Sequence, residues 1–384
     1  MSASAKTGDG NMAKWERHGP LGTPSGGSGL EHWVLRDGSS VLASHPVALT
    51  LGKKLDVRTL RSETSAELLA YAAQFRAIID RLYADKSKLR VLPACPACGG
   101  RIENCAPAIE VHGVAYVVCN NCGHVFIPKQ PVSEALFESF EGEEDLSTFY
   151  VDPKTLEFRM QNIIAPKFDW VLDAFKRHYG GAPASILDVG AGGGHFVAGC
   201  RRRGLAAEGV EISRTSVRFA QSALGVDLRH GNYLASAPSL GTYDLLTFWG
   251  LLEYAPNPGE FFAAARRQLT PGAGMLIVEV PRADSFSLEV QKQFTKTIWR
   301  HAMPDSHMNL YSDASLATLL HDNGFKPVAA WYFGMDIYEY LMQAGLAMAT
   351  DRVMAELGDT IAPLQEFLDR ARLSDDIVVA AVPV

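Results

Sequence analysis

The 384-residue chain lacks any apolar stretch near the roughly 20 residues that a helix needs to cross a bilayer. No membrane partner is therefore expected. Its first residues, "MSASAKTGDGNMAKWERHGPLGTPSGGSG", lack the apolar centre of a signal peptide, so a cytoplasmic location is expected. Positive charge is also short: 36 Lys and Arg stand against 43 Asp and Glu, a net charge of −7. Nucleic-acid binders usually carry a basic face, and this balance argues against one. Cysteine is sparse, with six residues, too few for a disulfide scaffold. No internal repeat is present.

Nearly half of the residues are apolar, enough for two or three cores. Residues 1–30, rich in Gly, Ser and Pro, read as a disordered leader. Residues 31–90 hold a hairpin, with Asp37-Gly38 as its turn in "HWVLRDGSSVL". They also hold a helix, "SAELLAYAAQFRAIIDRLY", with Ser65 as N-cap. Residues 91–130 contain paired cysteines. Residues 131–180 read as a helical linker or cap: an acidic stretch, "FESFEGEEDLSTFYVDP", then "LEFRMQNIIAPKFDWVLDAFKRHYG", interrupted near Pro166. Residues 181–384 alternate strands and helices, the rhythm of an α/β, doubly wound parallel sheet, with substrate-cap insertions at 282–311 and 334–374.

Within that alternation, "ILDVGAGGGHF" turns a buried strand into a helix through glycines. A dinucleotide fingerprint would need glycine where His195 stands, and no Gly-Lys-Ser/Thr ending marks a phosphate loop. An acid followed by alternate glycines, Asp188, Gly190, Gly192 and Gly194, fits S-adenosylmethionine better. That cofactor carries a cationic methionine part and no phosphate, and glycines let the backbone approach it closely. Glu211, ending the next strand, is placed to accept the ribose hydroxyls, a role it would equally serve for NAD. Asn232 and Tyr233 are candidates for the adenine edge and ring. Trp249, at the end of the fourth strand, is a further cofactor candidate.

On "ILDVGAGGG", Glu211 and "LLEYAPNP", the stretch from about 160 to 330 resembles the class I S-adenosylmethionine-dependent methyltransferases. Tyr254 stands where their loop usually has histidine, and Asn232 where many have aspartate. The resemblance implies a seven-stranded Rossmann-like sheet whose last strand, "DIVVAAVPV", is antiparallel, and S-adenosylmethionine as cofactor.

"CPACGG" and "CNNCGH" form C-x2-C, 20 residues, C-x2-C. Cys95, Cys98, Cys119 and Cys122 at this spacing point to a zinc ribbon, a small module preceding the sheet. Four thiolates leave no open position, so the Zn2+ is read as structural. Cys105 and Cys200 read as ordinary interior residues, and His124 as a surface residue or one beside the metal. The sheet has its own core, so serine at Cys95 or Cys119 is expected to leave cofactor binding intact.

A zinc ribbon before a methyltransferase domain is similar to sugar and small-molecule methyltransferases. It implies a small-molecule substrate: a nucleotide-linked sugar or a natural-product or polysaccharide intermediate. Two alternatives stay open. One is a ribosomal or transfer RNA methyltransferase that binds RNA through the ribbon, and the other a non-catalytic zinc-ribbon binding protein with a methyltransferase-like fold. His307, in "WRHAMPDSHMNLYS", is the leading candidate for a general base or orienting group, with His301, Asp305 and Tyr311 nearby. Glu253 and Tyr254, after the fourth strand, are further catalytic candidates. "GMDIYEYLMQAG" either closes the pocket or pairs subunits, which leaves a homodimer open.

Overall fold

The computed structural model describes residues 13–18, 29–53, 57–60, 64–132, 151–297 and 300–384. Most of the acidic stretch lies outside them. Three N-terminal strands come first: β1 (Lys14–His18), β2 (Gly29–Asp37) and β3 (Ser40–Leu51). β2 and β3 form the expected hairpin around Gly38. The leader expectation fails at β1, which pairs antiparallel with β2 and buries Trp15. Helix α1 (Ser65–Ala84) follows. Its N-cap is Thr64 rather than Ser65: Thr64 and Glu67 close a capping box, and Ser65 becomes the first helical residue.

The cysteine region is built from β4 (Leu89–Val91), β5 (Cys105–Val111), β6 (Val114–Cys119), β7 (Val125–Phe126) and β8 (Lys129–Pro131). Helix α2 (Ala165–Tyr179) continues from a short helix (Leu156–Arg159) through a π-turn at Met160–Ile164. The irregularity expected at Pro166 is that π-turn: proline has no N–H to donate, yet the helix runs on past it.

The alternating part then runs β9 (Ser185–Val189), α3 (His195–Arg202), β10 (Ala206–Glu211), α4 (Arg214–Leu224), β11 (Arg229–His230) and β12 (Leu245–Trp249). It continues with α5 (Pro258–Gln268), β13 (Met275–Pro281), α6 (Phe286–Gln291), β14 (Asn309–Leu310) and α7 (Asp313–Asp322). Last come β15 (Phe325–Phe333), α8 (Asp336–Ala347), α9 (Ile361–Ala371) and β16 (Asp376–Pro383).

Seven of these strands lie in the order β15-β16-β13-β12-β9-β10-β11. β16 is antiparallel to both neighbours, as the class I resemblance implies. Alternate residues feed two cores. Leu187, Phe248, Val278 and Val379 face one side. Ile186, Leu245, Ile277 and Val378 face the other, against α2 and α3. Burial on both faces is what continuous apolar strands require.

The sheet is wider than seven strands. β3 pairs in parallel with β15, so the N-terminal hairpin and β1 add three strands, and among the described residues the sheet has ten. The cysteine ribbon is not set apart either. β7 pairs with β14, a strand from the segment after β13. Cys95, Cys98, Cys119 and Cys122 lie in the same buried cluster as Phe248, Leu252 and Tyr311. The expectation that the sheet has a core of its own is corrected in one respect: the ribbon's metal corner packs into the cluster on one of its faces.

Candidate active site and metal centre

The glycine loop sits where β9 ends and α3 begins. Asp188 is buried inside the strand, and Thr247 Oγ1 of β12 donates to its Oδ1 at 2.7 Å. Burial pushes this carboxyl up to about 7, with the Thr247 bond opposing. Gly190, Gly192 and Gly194 all take positive φ, at 67°, 51° and 74°. A side chain at Gly190 would also strike Leu251, which lies 2.9 Å from where its Cβ would be.

Glu211, at the end of β10, reaches this loop. Its carboxylate accepts the backbone N–H of Gly192 and of Ser213, each at 2.7 Å. Structure thus brings Asp188, the three glycines and Glu211 together at the carboxyl ends of β9 and β10, where open parallel sheets bind ligands.

Two cofactor candidates are engaged within the protein itself. Asn232 Oδ1 accepts the N–H of Ala235, so this side chain caps the short helix Tyr233–Ser236. Tyr233 does not line a ring site. It is buried between Phe248 and Phe261 and donates to Gln268 Oε1 at 2.5 Å. An aromatic beside a helix start looks alike in sequence whether it faces core or ligand. Trp249 ends β12 with its ring against Phe196, at 5.1 Å between centroids, and Lys167 Nζ 4.5 Å from the ring. Its Nε1 is buried without a hydrogen-bond partner.

The catalytic candidates converge. Tyr254 and His307 meet edge to face at 5.7 Å, and Met308 N–H donates to the Glu253 carbonyl at 2.8 Å. Glu253 is buried, and burial pushes its carboxyl up to about 8. His307 Nδ1 lies 2.6 Å from the His301 carbonyl. A carbonyl only accepts, so Nδ1 holds the proton and Nε2 is left as the acceptor. Burial, helped by His301, lowers this imidazole to about 3. This disfavours the imidazolium and leaves Nε2 as an acceptor, which suits the orienting role expected of His307 better than that of a base.

His301 is fully buried, its Nε2 2.9 Å from the Arg282 carbonyl. Tyr311 donates to the Leu252 carbonyl at 2.9 Å. Asp305 is buried near Tyr83, which donates to the neighbouring Pro304 carbonyl.

The four cysteines are buried, and their Sγ atoms lie within 4.8 Å of one another. Cys95 and Cys122 approach to 3.7 Å, Cys98 and Cys119 to 3.6 Å. Zinc–sulfur bonds of about 2.3 Å would hold tetrahedral thiolates about 3.8 Å apart. The donor set and spacing therefore fit Zn2+.

His124, beside this corner, is not a surface residue. It is fully buried, with Nε2 3.1 Å from Asn309 Oδ1 and Nδ1 3.3 Å from Ser315 Oγ. Asn309 Nδ2 in turn donates to the Ala255 carbonyl at 2.8 Å. Ser312 Oγ donates to the Cys122 carbonyl at 2.5 Å, and Tyr116 of the ribbon donates to the His307 carbonyl at 2.9 Å. The ribbon thus grips both loops that carry Glu253, Tyr254 and His307. Sequence reasoning missed Asn309 and Thr247. Thr247 alone left a signal, as a polar residue in the apolar strand "LLTFW".

Residues 159–330 match the family model described as a methyltransferase domain. The ubiquinone biosynthesis O-methyltransferase of Azoarcus sp. (strain BH72) is 30% identical over 145 residues, 36% of this chain and 60% of that one. The protein of the same name from Aromatoleum aromaticum (strain DSM 19018 / LMG 30748 / EbN1) is 27% identical over 135 residues, 33% and 56% of the two chains. The chain thus spans less than two thirds of the length of these curated relatives. Among solved structures, the plantazolicin methyltransferase BamL, in complex with a triazolic desmethylPZN analog and SAH, is 13% identical with a TM-score of 0.43. It covers 64% of this chain, which covers 94% of it.

Proposed function

We propose, from the class I methyltransferase domain at residues 159–330, that this chain transfers a methyl group from S-adenosylmethionine to a small molecule. The observation that carries the proposal is the contact of Glu211 with the glycine loop. An acid from β10 closes on the Gly192 amide and leaves its carboxylate at the mouth of the β9 loop. Glu211, Gly190, Gly192, Gly194 and Asp188 would hold the cofactor, whose sulfonium supplies an already activated methyl. Four buried thiolates would hold a structural Zn2+.

The chain's own part is to place the acceptor and manage its proton. Glu253, pushed up to about 8, carries its proton at neutral pH and becomes a base above it. His307 Nε2 offers a lone pair that can align an acceptor hydroxyl, and Tyr254 packs against its ring. The relatives named O-methyltransferases support an oxygen nucleophile on a small metabolite. A nucleotide-linked sugar fits the same reading. The packing of the ribbon's cysteine corner into the core also favours a small molecule over RNA bound through that corner.

Calorimetry with S-adenosylhomocysteine tests the cofactor site. Glu211→Ala should lose two charge-assisted hydrogen bonds, each worth roughly 1.5–3 kcal/mol. Undiminished affinity in this variant would remove Glu211 from the site.

A further inference from the structure

A row of side chains stands at the carboxyl rim of the sheet, on the face covered by α2. Trp249 of β12 pairs with Glu279 of β13. Asp376, at the start of β16, pairs with Phe333 of β15. β3 runs parallel to β15 as far as the pair Leu51–Tyr332, and Gly52 N–H then donates to the Tyr332 carbonyl at 2.8 Å. The next residue, Lys53, therefore arrives at the same rim, although it comes from the N-terminal hairpin outside the methyltransferase domain.

Most charges of this rim are already matched. Lys167, from the first turn of α2, pairs with Glu279. Arg300 pairs with Glu339, Asp375 and Asp376. Lys53 differs. Its Nζ lies 4.9 Å from the centre of the Phe333 ring, and among the described residues it makes no ion pair or hydrogen bond. Burial, with Lys167 nearby, lowers this ammonium to about 8. Glu279 and Asp376 act in the opposite sense. Trp249 Nε1, in the same row, is buried and has no acceptor among the described residues, whereas Lys53 is half-buried. An unmatched buried donor is costly, so a ligand rich in acceptors would relieve Trp249, and an anionic group on it would give the half-buried Lys53 ammonium the counter-charge it lacks.

We propose that Lys53 is the ionic anchor for an oxyanion, a carboxylate or a phosphate, on the methyl-accepting substrate. This rests on reading the rim beside Trp249 and Glu253 as the place of methyl transfer. Four strand spacings, about 19 Å, separate β12 from β3. The substrate is therefore elongated, with its anionic end remote from the methylated atom.

The test titrates the full chain, with and without saturating S-adenosylhomocysteine, using sodium benzoate and inorganic pyrophosphate as probes. Sodium chloride at matched ionic strength is the control. Saturable binding of at least one probe is expected. Lys53→Met should weaken it about ten-fold or more, and Lys53→Arg should keep it within about three-fold, as for a charge-assisted hydrogen bond. Lys53→Met without ligand should melt no lower than the wild type, because it removes an unmatched charge. A lysine needed only for structure would lower the melting temperature. Lys53→Gln repeats the test if the Met variant does not fold. Response to benzoate alone selects the carboxylate, and to pyrophosphate alone the phosphate. Equal probe binding by wild type and Lys53→Met, or none by the wild type, overturns the proposal. Failure of the wild type to bind S-adenosylhomocysteine strikes the methyltransferase reading instead, and the titration without it still decides Lys53.

Discussion

Asp188 and Glu253 both keep protons in the folded chain at pH values where the unfolded chain has lost them, because each is buried with little compensation. A carboxyl raised on folding costs nothing below its unfolded pKa. Its cost grows as pH rises through the window and is complete above the folded value. The ligand-free protein should therefore lose melting temperature from pH 5 to pH 8, with Asp305 and Asp369, each pushed up to about 7, contributing. Glu253→Gln should flatten part of that decline, and thermal melts across the range check it. An unchanged slope would mean that Glu253 is ionised in the fold. His307, lowered to about 3, should add no inflection near pH 6.5 to the turnover profile. His307→Ala should still slow turnover, by up to the roughly 10²–10⁴-fold of a positioned proton-handling group, with cofactor affinity within a few-fold. Full turnover in that variant would leave His307 as a packing residue.

β14 is two residues long, yet it joins the ribbon to the loops that carry the catalytic candidates. Asn309 takes a hydrogen bond from His124 and gives one to the Ala255 carbonyl, just after Glu253 and Tyr254. Removing a buried side-chain partner leaves groups unsatisfied at about 1–3 kcal/mol each. Asn309→Ala is therefore expected to loosen the loop at 252–255 while metal content and S-adenosylhomocysteine affinity stay as in the wild type. Hydrogen exchange of those amides reads the loop, and turnover should fall with little change in cofactor affinity. Unaltered exchange there would show that the loop stands without the ribbon.

The ribbon's cysteine corner lies in the buried cluster on one face of the sheet, where a ribbon apart from the sheet was expected. Structural zinc can contribute on the order of 10 kcal/mol to the folding of a small module. Here the cysteines pack with Phe248, Leu252 and Tyr311, so zinc held by them would stabilise the sheet as well. Metal stripping, or Cys119→Ser, should lower a single cooperative melting transition and weaken S-adenosylhomocysteine binding together. Two separate transitions, with the cofactor-stabilised one unmoved, would restore the independent ribbon.

The local code carried far. Apolar runs alternating with helical segments marked the strands β9 to β13, β15 and β16, though not β14, and Asp188, the alternate glycines and Glu211 marked a loop that only a few ligands suit. The C-x2-C pairs marked a metal corner, because two turns of that length aim four thiolates at one point. These features depend on neighbours within a few residues, and a sequence displays such neighbours directly. Other features were decided by contacts between distant segments. Tyr233 turned to the core because Phe248 and Phe261 surround it. His307 packs against the Tyr254 ring, 53 positions away in the chain. His124 and Asn309 meet across 185 positions of chain. Lys53 reaches the rim only because the hairpin adds to the β15 edge. Register and burial between remote elements depend on the packing of the whole, which no stretch of residues encodes alone.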